Sequence, residues 1–103
     1  MQKGNGNNMK FAFMIMGEGF QPDHDSASIH GGVAQMIGVS SVEEACGEAV
    51  RLKREGIGCI ELCGAFGPEG AMRVIDAVQN SIPVGYAAHL PIQDDIFRKV
   101  FGE

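Results

Sequence analysis

This chain has no tryptophan and one tyrosine, and its eight lysines and arginines face thirteen carboxylates. So little positive charge argues against a nucleic-acid binder, which needs a basic stripe to displace phosphate counterions. The densest basic run, Arg51-Leu52-Lys53-Arg54, has no aromatic residue interleaved. Cysteine is scarce and odd in number, so Cys46, Cys59 and Cys63 form no disulfide framework. Cys59 and Cys63 fall on one expected strand, about 13 Å apart at ~3.3 Å per residue. A disulfide requires Cα atoms within about 7 Å. No Cys-x-x-Cys pair points to zinc, and reduced thiols suit a cytoplasmic protein. Long apolar runs are missing too. Phe11–Met16 is too short for a signal-peptide core or a bilayer span, so no membrane partner is expected.

The remaining composition is that of a globular protein, 45% hydrophobic and 20% charged, at a length that suits one domain. A core this small leaves little stability to spare. A homo-oligomer, a dimer in the first instance, is therefore expected to add buried surface. Residues 1–8, MQKGNGNN, have no apolar residue after Met1 and read as a disordered leader; residues 9–103 read as a single α/β domain.

Within that domain, residues 10–16 form a continuous apolar run, the pattern of a strand covered on both faces. A long loop rich in Gly, Asp and Ser follows over 17–32, and a second strand over 33–39. Residues 40–56 carry the clearest helix. Ser41 and Glu44 make a capping box, and Val42, Ala45, Cys46, Ala49 and Leu52 share one face. Acids open this helix and bases close it, and Gly56 supplies a left-handed stop. A third strand over 57–64, a helix over 68–80 opened by Pro68, a fourth strand over 82–88 and a short closing helix over 93–101 complete the chain. In the second helix Ala71, Val74, Ile75 and Val78 are expected inward. In the closing helix Ile96, Phe97, Val100 and Phe101 are expected to dock. The order β-loop-β-α-β-α-β-α predicts a four-stranded, mainly parallel sheet. If the last three strands lie in sequence order, both crossover helices cover one face and the other needs a different cover.

The segments FAFMIMGEGF (11–20), GVSSVEEA (38–45), IELCGAFGPEG (60–70) and VGYAAHLP (84–91) resemble an uncharacterised prokaryotic family of α/β proteins of about this length, domain of unknown function 6506. The resemblance implies no activity and no catalytic residue, so a site must be argued from the residues themselves.

In parallel α/β sheets ligands bind outside the carboxyl ends of the strands. Here those ends are Gly17–Glu18, Ser40–Ser41, Cys63–Gly64–Ala65 and His89–Leu90. Glu61 interrupts an otherwise apolar strand, and a carboxylate in a covered strand is costly unless paired. It reads as a general base or ligand anchor, or else as an interface glutamate held by a cation or backbone donor. His89 closes the fourth strand before Leu-Pro, as an acid–base group or as a histidine capping a loop carbonyl. Cys63 could be a nucleophile with His89 as its base, although free cysteines more often act as small buried hydrophobes.

Glu18, Ser40, Gly64 and Gly67 are the candidate ligand contacts. Gly64, Gly67 and Gly70 are spaced G-x-x-G-x-x-G, which is neither the dinucleotide fingerprint nor a P-loop. Pro68 removes one amide donor and Glu69 places negative charge where a phosphate would sit. Turn and packing roles suit these glycines better. His24 and His30 have no helix-spaced partner, so neither a metal nor any other cofactor is expected. The functional expectation is a small-metabolite binding protein or a simple acid–base enzyme using Glu61, His89 and Cys63. The alternative is a non-catalytic homo-oligomeric interaction domain.

Overall fold

A computed structural model of the protein describes residues 9–102. The expected leader over 1–8 lies outside the described residues. The elements are β1 (Phe11–Met16), β2 (Ser26–Ile29), β3 (Ala34–Val39), α1 (Val42–Arg54), β4 (Cys59–Leu62), α2 (Gly67–Ala77), β5 (Val84–Tyr86) and α3 (Asp94–Phe101). Short 3-10 turns over 30–32, 64–66 and 91–93 join them. Together they form a single α/β domain around one mostly parallel sheet.

The sheet has five strands in the order β2-β3-β1-β4-β5, with β2 alone antiparallel. The extra strand lies inside the segment expected to be loop. All four residues of Ser-Ala-Ser-Ile are exposed, so no burial pattern marks them as a strand. They are recruited by pairing along the free edge of β3. β1 occupies the centre, paired with β3 on one side and β4 on the other.

This strand order decides which face is covered. The chain crosses from β3 to β4 and then from β4 to β5 in the same direction across the sheet. Right-handed crossovers travelling one way put both helices on one face, and α1 and α2 pack against each other there. Passing from β1 to β3, the chain moves the opposite way, which would place a helix on the second face. The connection carries β2 instead of a helix, so the described residues leave the second face without a helical layer.

The core accordingly lies on the helical side. Ala12 and Met14 of β1, Ile37 and Val39 of β3, and Ile60 and Leu62 of β4 alternate inward. They meet Ala45, Ala49 and Leu52 of α1, and Ala71, Val74 and Val78 of α2 and its end. Of the other expected inward residues, Val42, Cys46 and Ile75 are half-buried. Helix α1 starts as expected. Ser41 is its N-cap, and its hydroxyl accepts the Glu44 amide at 3.0 Å. The Glu44 carboxylate reaches one residue further back than in the usual capping box, accepting from the amide and hydroxyl of Ser40 at 2.7 and 2.9 Å.

Helix α3 forms where expected but does not dock on this core. Ile96, Phe97, Val100 and Phe101 are all exposed. Its amphipathic pattern is satisfied only in part, along the side that carries Phe97 and Phe101.

Candidate functional site

Because β1, β3, β4 and β5 are parallel, their carboxyl ends share one edge of the sheet. A cleft of about 760 Å³ opens there, beyond β4 and β5. Its floor is the turn Gly64–Ala65 and the opening of α2 at Gly67–Pro68; one wall is the strand end Tyr86–His89. Phe97 and Phe101 of α3 form the other wall. This volume lies within the ~300–1,000 Å³ span of small-molecule sites, and the lining is predominantly apolar with few polar groups, as such sites usually are.

Each part of the lining has a local cause. The chain leaves β4 through Cys63 in extended conformation and tightens into the 64–66 turn. The turn is anchored by Phe66, which is buried among the core residues. Gly67 then adopts φ 63° and ψ −179°, a conformation essentially confined to glycine. Pro68 follows in the first turn of α2, where its missing amide costs nothing. On the facing side, the Ala87 amide donates to the Leu62 carbonyl at 2.8 Å, which extends the β4–β5 pairing up to the cleft.

His89 and Tyr86 are the residues of the cleft lining with polar side chains. Nε2 of His89 lies 2.8 Å from Oδ1 of Asp94. An ionised carboxylate only accepts, so Nε2 carries the proton and donates. The imidazole also stacks on Phe97, with ring centroids 3.9 Å apart and planes 11° from parallel. Phe97 in turn stacks on Phe101 at 5.7 Å. The ring of His89 is thus held from its edge by Asp94 and from its face by Phe97.

The expected site residues separate into two groups. Gly64, Gly67 and His89 line the cleft together. Glu61 lies on the opposite, helix-free face, where period-two alternation aligns it with Phe13 and Gly85. It is exposed, in contrast to the buried position expected of a covered strand, because no helix covers that face and the 17–25 segment reaches only its Gly38 end. Its carboxylate lies against Gly85, where an added Cβ would come within 2.9 Å of Oε1. Cys63 is half-buried, and its sulfur accepts the Met16 amide at 3.3 Å. Ser40 has both of its donors engaged by Glu44, and Glu18 is exposed in the turn after β1. Neither lines the cleft.

Two other thiols sit in environments that oppose ionisation. Burial pushes the Cys46 thiol upward, and burial together with the charge of Glu61 does the same at Cys59. Among the described residues, no group of three or more His, Cys, Asp or Glu gathers to hold a metal. None of the described helices is long and apolar enough to cross a membrane.

The sequence reading missed Asp94, Phe97 and Phe101. The available signal was Pro91 followed by Asp94 and Asp95. That pattern marks a helix start but carries no information on which surface the helix meets.

The sequence model of a family described as "Family of unknown function (DUF6506)" matches residues 9–102. The chain belongs to the DUF6506 family. No curated protein and no solved structure matches it. For this DUF6506 chain, the match covers every element described above, from the strand at the sheet centre to the helix that walls the cleft.

Proposed function

We propose that this protein is a cytoplasmic small-molecule binding protein whose ligand lies in the cleft at the carboxyl edge of β4 and β5. The observation that carries the proposal is the oriented His89. An imidazole fixed by a carboxylate and an aromatic stack, at the mouth of an apolar cleft, is arranged for a polar contact to a bound molecule. With Nε2 donating to Asp94, Nδ1 is the nitrogen available to accept a proton or hydrogen bond from the ligand. The matching ligand is a compact molecule with an apolar or planar body and one hydroxyl, enol or amide donor. If the protein turns its ligand over, His89 is the general base, with Asp94 stabilising the imidazolium as it forms. Glu61, on the other face, and Cys63, whose sulfur is turned to the Met16 amide at the end of β1, have no part in this arrangement.

The test is a thermal-shift and calorimetric screen of small metabolites on wild type, His89→Ala and Asp94→Asn. A true ligand stabilises wild type, loses about twofold to tenfold in affinity with His89→Ala, and loses less with Asp94→Asn, in line with one neutral hydrogen bond at ~0.5–1.5 kcal/mol. Ligands that bind all three proteins equally would refute the role of His89.

A second reading, an oligomeric interaction domain without chemistry, draws on a different observation: the sheet face that has no helical cover.

A further inference from the structure

We propose that two copies of this chain pair by laying α3 of each across the helix-free sheet face of the other. This deepens the oligomeric reading and does not depend on the cleft having a ligand.

Two apolar surfaces of the chain lack a partner among the described residues. One is the sheet face, where Phe11, Met36 and Ile29 (67% exposed) are joined by Phe20, which packs over Gly38. The other is the outer side of the closing segment, formed by Leu90, Ile92 (84%), Ile96 and Val100 (71%). Ile96 and Val100 stand at i, i+4 on α3 and make one stripe, and Leu90 and Ile92 precede it in and beside the 91–93 turn. That stripe is distinct from the Phe97–Phe101 side that walls the cleft.

The two surfaces do not meet within one chain. The chain is tied to the sheet edge as far as Ala87, and α3 is then held at the carboxyl edge by the His89–Asp94 bond and the His89–Phe97 stack. A second copy brings the same two surfaces in reverse roles. Such a self-complementary arrangement closes as a two-fold dimer.

Size and charge both fit that occupant. Burying one large apolar side chain removes roughly 60–120 Å² of apolar surface from water. The exposed fractions of the eight residues named amount to about four to five whole side chains, or roughly 280–560 Å² per chain. With apolar atoms supplying about 60% of an interface, this corresponds to roughly 470–940 Å² per partner, which brackets the ~800 Å² of a standard stable complex. An eight-residue helix is about 12 Å long and spans two to three strands at their ~4.8 Å spacing. On charge, Glu61 projects from the sheet face and makes no salt bridge with any described residue. Lys99 is three residues beyond Ile96, beside the stripe, and is likewise without an ion-pair partner among the described residues. The docked helix brings Lys99 to the partner's Glu61.

The test is the mass of the full chain in solution, by light scattering and sedimentation over a concentration series, with far-UV circular dichroism to confirm folding. Wild type is expected to be dimeric. Ile96→Asp on the helix and Met36→Asp on the sheet both alter exposed side chains, so both variants fold. Each is expected to raise the dimer dissociation constant about tenfold or more. Glu61→Lys and Lys99→Glu each weaken the dimer, and the double charge swap recovers it. A wild-type monomer overturns both this interface and the oligomeric reading. A dimer broken by Met36→Asp but not by Ile96→Asp overturns the α3 docking alone, because the two sheet faces then pack directly on each other.

Discussion

Replacing Phe66 with alanine tests how the floor of the cleft is held. Phe66 is only 5% exposed and belongs to the core, although it sits in a three-residue turn at the end of β4. It packs against α2 so closely that a Cβ added at Gly70 would lie 3.2 Å from the Phe66 Cβ and 3.3 Å from Cδ2 of its ring. The same imaginary atom would lie 3.6 Å from Val42 of α1. With both helices this near and braced by the sheet, the site has little freedom to collapse. The substitution is therefore expected to cost about 3–5 kcal/mol, as for other buried phenylalanines. For a domain of this size that is a fall in Tm of at least about 12 °C, at ~4–8 °C per kcal/mol. It is a large share of a total stability of roughly 5–15 kcal/mol. Phe97→Ala is the matched control. Phe97 is 38% exposed and loses mainly its stacks on His89 and Phe101, worth about 0.5–1.5 kcal/mol each. Differential scanning fluorimetry and calorimetry on wild type and both variants decide the matter. A Phe66→Ala protein melting within about 4 °C of wild type, less than ~1 kcal/mol, would refute the claim that this ring anchors the turn to the core.

Two further outcomes follow from backbone and thiol chemistry. Gly67→Ala has open space for its methyl group, yet it is expected to destabilise by about 1–3 kcal/mol, measured by urea unfolding, because φ 63° with ψ −179° is closed to other residues. Cys46 and Cys59, with their thiols pushed above the usual value of 9.0, should alkylate with iodoacetamide at mildly alkaline pH more slowly than a free thiol. Glu61→Gln should speed Cys59 and leave Cys46 unchanged. Because the folded state holds these protons more tightly than the unfolded one, their contribution is intact below pH 9. It is lost as pH rises through their raised folded values, so stability falls on the alkaline side.

Much of the fold was legible because its signals are local. The Ser41 cap, the period of Ala45, Ala49 and Leu52, and Pro68 at the start of α2 each depend on neighbours within a turn or two of helix. The parallel edge that gathers Cys63–Ala65 and His89 followed from the alternation of strands and helices. β2 was not legible, since a strand that buries nothing has no hydrophobic period and exists only because β3 offers an open edge. Asp94 and Phe97 were missed as site residues for a similar reason: their meeting with His89 depends on how the 91–93 turn folds back.

The sequence by itself determined the class of fold, the inward faces of α1 and α2 and the edge at which the carboxyl ends of the parallel strands gather, because right-handed crossovers and capping chemistry leave few alternatives. Only the tertiary structure decided where β1 inserts. That placement sent both helices to one face and left the other without a helical layer. It turned Glu61 from a buried carboxylate into an exposed one, left α3 without a core to dock on, and made His89 with Asp94, not His89 with Glu61, the pair at the cleft. No local pattern could distinguish these outcomes, because the order of strands in a sheet is set by pairing between segments far apart in the sequence.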